Sequence, residues 1–167
     1  MRELREQLLL LRNHGQADKY THSVVGWCSR LHNLQAGLLN VKLPHLEAWN
    51  AARRRAAALY DELLAGVDGV EPMRVAAGVE PVYHLYVVRV EERDAVREKL
   101  SADGIETGIH YSAPLHLQPA YAGLGYGRGD FPVAERLAER ILSLPMFPEL
   151  DDGQIEYVVE RLAAAVA

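Results

Sequence analysis

The chain has 167 residues and a mass of 18.6 kDa, with 49% hydrophobic and 25% charged residues. That is enough for one domain with an ordinary core, and it excludes disordered, collagen-like and coiled-coil compositions. The 18 basic and 23 acidic residues give a net charge of −5, which argues against a general nucleic-acid binder, and the single Cys28 excludes an internal disulfide or a four-cysteine zinc site.

Residues 3–12 read as a short helix closed by Gly15, which takes the left-handed conformation easily. The four leucines from Leu8 to Leu11 are too few for a signal-peptide core and follow acidic residues. With no apolar run near the ~18 residues of a membrane span, the expectation is a cytoplasmic protein with a reduced thiol. A short helix leading straight into a loop is an uncommon opening, so Met1 is not expected to start a natural domain. Residues 16–27 read as loop or short strand. From Arg30 the residues Leu31, Leu34, Leu38 and Val41 recur at helical spacing. Pro44 should break this helix and restart a second one, which carries Trp49, Ala52, Ala56, Leu59 and Leu63 and ends near Gly66. Part of this long stretch is expected to pack against something outside the chain.

After a connection over 67–80, Val82–Val90 is rich in β-branched and aromatic residues, as a central strand requires. A helix over 92–102 and a strand over Ile105–Tyr111 complete a strand–helix–strand unit. Residues 112–130 form a glycine-bearing loop. Pro132 starts a helix running to Leu142, Ser143–Phe147 is extended, and Asp151 with Gln154 forms the capping box of a last helix. The expected fold class is α/β, an α+β small domain: long N-terminal helices over 1–66, then a small sheet covered by helices over 67–167.

Few residues announce chemistry by themselves. His110 and His116 flank the loop after the expected second strand, but no Cys/His/carboxylate cluster supplies three metal ligands, so no metal is expected. The glycines at 123, 125, 127 and 129 miss the dinucleotide-binding spacing. Arg53, Arg54 and Arg55 point about 100° apart on a helix, so a solvated helix side is the default reading. Cys28 reads as a small buried or half-buried thiol.

The ordered motifs go further. They include Arg12-Asn13-His14-Gly15, Gly26-Trp27-Cys28-Ser29-Arg30-Leu31, Trp49-Asn50, Tyr83-His84-Leu85-Tyr86, Ile109 through His116, Phe131-Pro132 and Ser143 through Pro148. Over nearly all 167 residues this series resembles the C-terminal part of the DegT/StrS-type nucleotide-sugar aminotransferases, which use pyridoxal phosphate and have the aspartate-aminotransferase fold. The resemblance implies transfer of an amino group from glutamate or glutamine to a keto-sugar nucleotide. It implies that Arg30, His110, Tyr111 and His116 line the substrate end. It places Cys28 where the family has a cofactor-phosphate asparagine. Family members are roughly twice as long, and their Schiff-base lysine lies upstream of the matching segment. None of Lys19, Lys42 and Lys99 stands in the family's Ser-x-x-Lys context. The expectation is therefore a fragment or split chain without a catalytic residue of its own, inactive alone, that forms a homodimer or pairs with a large-domain chain. The alternative is a non-catalytic interaction protein, or decayed relative, that docks on a full-length aminotransferase.

Overall fold

The computed structural model describes residues 2–167; Met1, on which the expected start rested, lies outside them. The chain divides into two compact units, Met1–Leu46 and Glu47–Ala167.

The first unit holds helix α1 (Arg2–Leu11), a loop, and helix α2 (Asn33–Lys42). The loop folds back on the end of α1. His14 N donates to Trp27 O at 2.9 Å, Trp27 N to Leu11 O at 2.8 Å, and Ser29 N to Arg12 O at 2.8 Å. Gly15 closes α1 at φ +70°, and a Cβ there would collide with the Val24 carbonyl, so no other residue fits. Among the described residues of this unit only Gly15 is buried, and Leu4, Leu8, Leu31, Leu34 and Leu38 stand exposed.

Lys42 is followed by a 3₁₀ turn, Leu43–His45, and then helix α3 (Leu46–Leu64). Pro44 lies in that turn, where its missing N–H interrupts the α-helical bonding pattern before α3 resumes.

In the second unit, strands β1 (Val70–Pro72), β2 (Tyr86–Val90) and β3 (Ile141–Leu144) form an antiparallel sheet in the order β1-β2-β3. Tyr86, Val88 and Val90 point into the core, pairing with Leu144, Leu142 and Val70. Helix α4 (Arg93–Ala102) follows β2, α5 (Pro132–Arg140) leads directly into β3, α6 (Asp152–Val166) follows β3, and α6 packs on α4. Ala56, Ala57, Tyr60 and Leu64 place α3 in the same core as the sheet. The Asp151 capping box is present: Gln154 N donates to Asp151 Oδ1 at 2.8 Å, and Asp151 N to Gln154 Oε1 at 3.1 Å.

Two expectations about strands need correction. Residues 82–85 are not strand, because Tyr83 takes a positive φ of 48° that breaks the extended run. Residues 105–111 are not strand either. Among the described residues their one backbone bridge to β3 is Gly108↔Ser143, and β3, after α5, supplies the second long pairing of β2. The unit is an antiparallel meander with helical insertions. β1, three residues long and containing Pro72, lies on the sheet edge where proline is tolerated.

Tyr60 stacks on Tyr86 with ring centroids 4.7 Å apart, and its hydroxyl donates to Pro145 O at 3.0 Å. Burial pushes both phenols well above the ordinary tyrosine range. Tyr60→Phe keeps the stack and removes the one bond, so urea unfolding should show a loss of about 1 kcal/mol. A neutral result would mean the bond is not formed in solution.

Candidate functional site

In the first unit, Cys28 and Arg30 come together at the end of the loop. Arg30 Nη2 lies 3.8 Å from Cys28 Sγ, and both side chains are exposed. Cys28 is thus an exposed thiol, not the buried or half-buried one expected, because this unit has no core in which to bury it. Gly26 explains the loop's tightness: a Cβ there would meet Gly15 N at 2.3 Å.

In the second unit, His110 and Tyr111 stand edge to face, with centroids 5.8 Å apart. Tyr111 is 77% exposed. His110 Nδ1 lies 2.9 Å from Ser143 Oγ on β3. His116 is placed differently. Its side chain is only 8% exposed, and Nε2 sits 3.0 Å from Glu135 Oε1 on α5. The same carboxylate accepts from Gly129 N at 2.8 Å and Phe131 N at 3.3 Å. Burial raises the Glu135 carboxyl, but the Gly129 amide, His116 and the Phe131 amide outweigh it and hold the group below the usual carboxylate value. Together these bonds tie the segment 115–131 to the first turn of α5. That segment is less irregular than expected, with two 3₁₀ turns at Leu115–Leu117 and Pro119–Leu124.

Several residues that organise the site were not picked out as functional from the sequence. Glu135 and Ser143 are separated from their histidines by 19 and 33 residues. A glutamate in the first turn of a helix is a recognisable sign of amide capping; Ser143 offers no such sign. Of the three arginines of α3, Arg55 lies on an exposed side as expected, while Arg53 and Arg54 are partly buried, and all three have partners. Arg53 Nη1 donates to Met146 O at 3.0 Å, Arg54 pairs with Glu80 at 3.1 Å, and Arg55 pairs with Asp152 at 2.5 Å. Each fastens a different segment to α3.

Among the described residues, no three His, Cys, Asp or Glu side chains group as metal ligands, and no helix is long and apolar enough to cross a membrane.

A model of the DegT/DnrJ/EryC1/StrS aminotransferase family matches residues 2–163. The chain belongs to this family. A "pleiotropic regulatory protein" of Geobacillus stearothermophilus is 46% identical over 164 residues, covering 96% of this chain and 44% of that protein. The dTDP-3-amino-3,4,6-trideoxy-alpha-D-glucose transaminase of Streptomyces venezuelae is 44% identical over 160 residues, covering 96% and 42%. The crystal structure of S. venezuelae DesV superimposes with a TM-score of 0.88 at 43% identity, covering 97% of this chain and 44% of that one. The chain thus spans less than half the length of the relatives it matches, and its α/β architecture is that of part of a family member.

The family's cofactor, pyridoxal phosphate, needs an amine for its aldehyde and a cradle for its phosphate. The residues of this chain do not fit it by themselves. Lys99 Nζ is engaged by Ala165 O at 2.8 Å, Lys19 lies over the Tyr20 ring at 5.3 Å, and Lys42 ends α2 in solvent. Cys28, an exposed thiol, offers only a weak donor. Arg30 beside it is a cation suited to an anionic oxygen.

Proposed function

We propose that these residues form the C-terminal, substrate-facing part of a pyridoxal-phosphate-dependent aminotransferase. The enzyme would move an amino group from glutamate or glutamine onto a keto-sugar nucleotide in the cytoplasm. The observation that carries this reading is the family match across residues 2–163, at 42–44% of the length of its relatives. In this reading His110 and Tyr111 of the second unit face the sugar nucleotide; Arg30 of the first unit is a sugar-nucleotide contact and Cys28 a cofactor-phosphate contact of the assembled enzyme. His116 serves the same site by anchoring the loop through Glu135. The amine that holds the cofactor lies in sequence beyond these 167 residues, and the working enzyme is a homodimer or a pair with a large-domain chain.

The purified chain, given pyridoxal phosphate, glutamate and a keto-sugar nucleotide, should show no turnover, and borohydride should trap no cofactor on Lys19, Lys42 or Lys99. Adding the large-domain part of a close relative should produce turnover. Turnover by the chain alone, or stoichiometric trapping on one of the three lysines, would overturn the proposal.

A second reading has its own support. The unit Met1–Leu46 exposes a series of leucines, and one relative at 46% identity carries a regulatory name. A non-catalytic protein that docks on a full-length aminotransferase would copurify with it without restoring activity to a large-domain chain.

A further inference from the structure

The His110 ring is held from several sides. Its Nδ1 lies 2.9 Å from Ser143 Oγ. A Cβ on Gly108 would meet His110 Cε1 at 2.5 Å, so the ring occupies space that only glycine leaves open. Gly108 and Ser143 are themselves joined: Gly108 N donates to Ser143 O at 3.0 Å, and Ser143 N donates to Gly108 O at 2.8 Å. The hydroxyl and the glycine that seat the ring therefore move as one piece with β3.

The direction of the His110–Ser143 bond follows from burial. Ser143 is 4% exposed, and His110 Nδ1 is the partner of its hydroxyl among the described residues. A buried hydroxyl proton without an acceptor is costly, so that proton goes to Nδ1. In a neutral imidazole, one nitrogen accepts and the other carries hydrogen. With Nδ1 accepting, the hydrogen sits on Nε2, which has no hydrogen-bond partner among the described residues.

We infer that Ser143 is a positioning residue that fixes His110 in the Nε2–H tautomer. His110 then meets its ligand as a neutral hydrogen-bond donor and not as a proton acceptor. The ligand atom it recognises is an oxygen, on a carbonyl, a hydroxyl or a phosphate. The reverse bond, from Nδ1–H to Ser143, would orphan the hydroxyl proton and turn Nε2 into a base. One hydrogen bond thus separates a recognition role from a catalytic one. The ligand's class rests on the aminotransferase reading; the tautomer does not.

The tautomer is read from imidazole nitrogen shifts of the ¹⁵N-labelled chain at about pH 8.5, roughly two units above the ordinary histidine value. The expected pattern is protonated Nε2 with Nδ1 shifted by an accepted bond. Ser143→Ala should move the Nδ1 signal toward that of a free imidazole, and Ser143→Thr, which keeps the hydroxyl, should restore it. A protonated Nδ1 in the wild type, or an Nδ1 signal unmoved by Ser143→Ala, would overturn the assignment. The donor role is read in the complemented enzyme. His110→Leu should lose about a hundredfold in kcat/KM, the usual cost of an aimed donor. His110→Gln, whose amide N–H₂ reaches the position of Nε2, should keep most of it. Equal losses would refute the donor role. Absence of turnover in the complemented wild type would instead count against the aminotransferase reading, leaving the tautomer result standing.

Discussion

Leu162→Ala is expected to cost about 3 kcal/mol of stability, because a fully buried leucine loses both its transfer energy and the cavity it filled. Leu162 has no exposed surface and shares the core with Ile155, Val158 and Val159 on α6. It belongs to the cluster that includes Val96 and Leu100 of α4 and Val88 of β2. α4 and α6 pack on each other, so neither can collapse far into the gap without dragging the sheet. Against a typical domain stability of 5–15 kcal/mol, the loss is large. The control is Leu34→Ala on α2. That side chain is 77% exposed, so the change should stay within about 0.5 kcal/mol. Urea unfolding at unchanged slope compares the two. Similar losses at both positions would mean that Leu34 is buried in solution, by association of the chain.

Glu135→Gln is expected to release the segment 115–131. The carboxylate accepts from two backbone amides and pairs with His116, and a neutral amide replaces charge-assisted bonds with weaker ones. Trypsin reports the change at Arg128, whose side chain is 73% exposed within that segment. Cleavage there should rise about tenfold, the factor that follows from weakening such a bond. The same clamp sets a pH dependence. The folded carboxyl value lies below the ordinary 4.5, so the clamp's contribution is complete above 4.5 and is lost as pH falls through the lower folded value. The Gly129 amide signal should therefore titrate with a midpoint below 4.5 in the wild type and not at all in Glu135→Gln. A midpoint at or above 4.5 would mean that the buried position, and not the amides, governs the group.

These two results bear on the functional reading in different ways. The core variant tests whether Glu47–Ala167 is a self-supporting scaffold for His110 and Ser143. The clamp variant tests whether His116 acts on the site by holding a loop in place. In the complemented enzyme a loop anchor and a direct substrate contact differ. Loss of the anchor should follow the trypsin sensitivity of Arg128, and loss of a contact should leave that sensitivity unchanged.

The parts of this molecule that the sequence alone determined are those whose causes lie within about one helical turn. The apolar stripe of α6, its Asp151–Gln154 capping box, the interruption at Pro44 and the closure at Gly15 each depend on residues zero to four positions apart, and each is present. The family, too, was legible, because its motifs survive in order along the chain. The tertiary structure decided what lies between distant residues. Residues 105–111 look like a strand by composition, yet the place beside β2 goes to Ile141–Leu144, whose Leu142 and Leu144 pair with the buried Val88 and Tyr86. Arg53, Arg54 and Arg55 are consecutive, but their partners lie 26 to 97 residues away. His116 and His110 look alike in sequence, within one motif. Glu135 draws one into the protein, while Ser143 fixes the other by a single ring nitrogen. No local pattern separates those two fates, because a side chain's hydrogen-bond partner is set by which backbone segments the fold brings within about 3 Å of it.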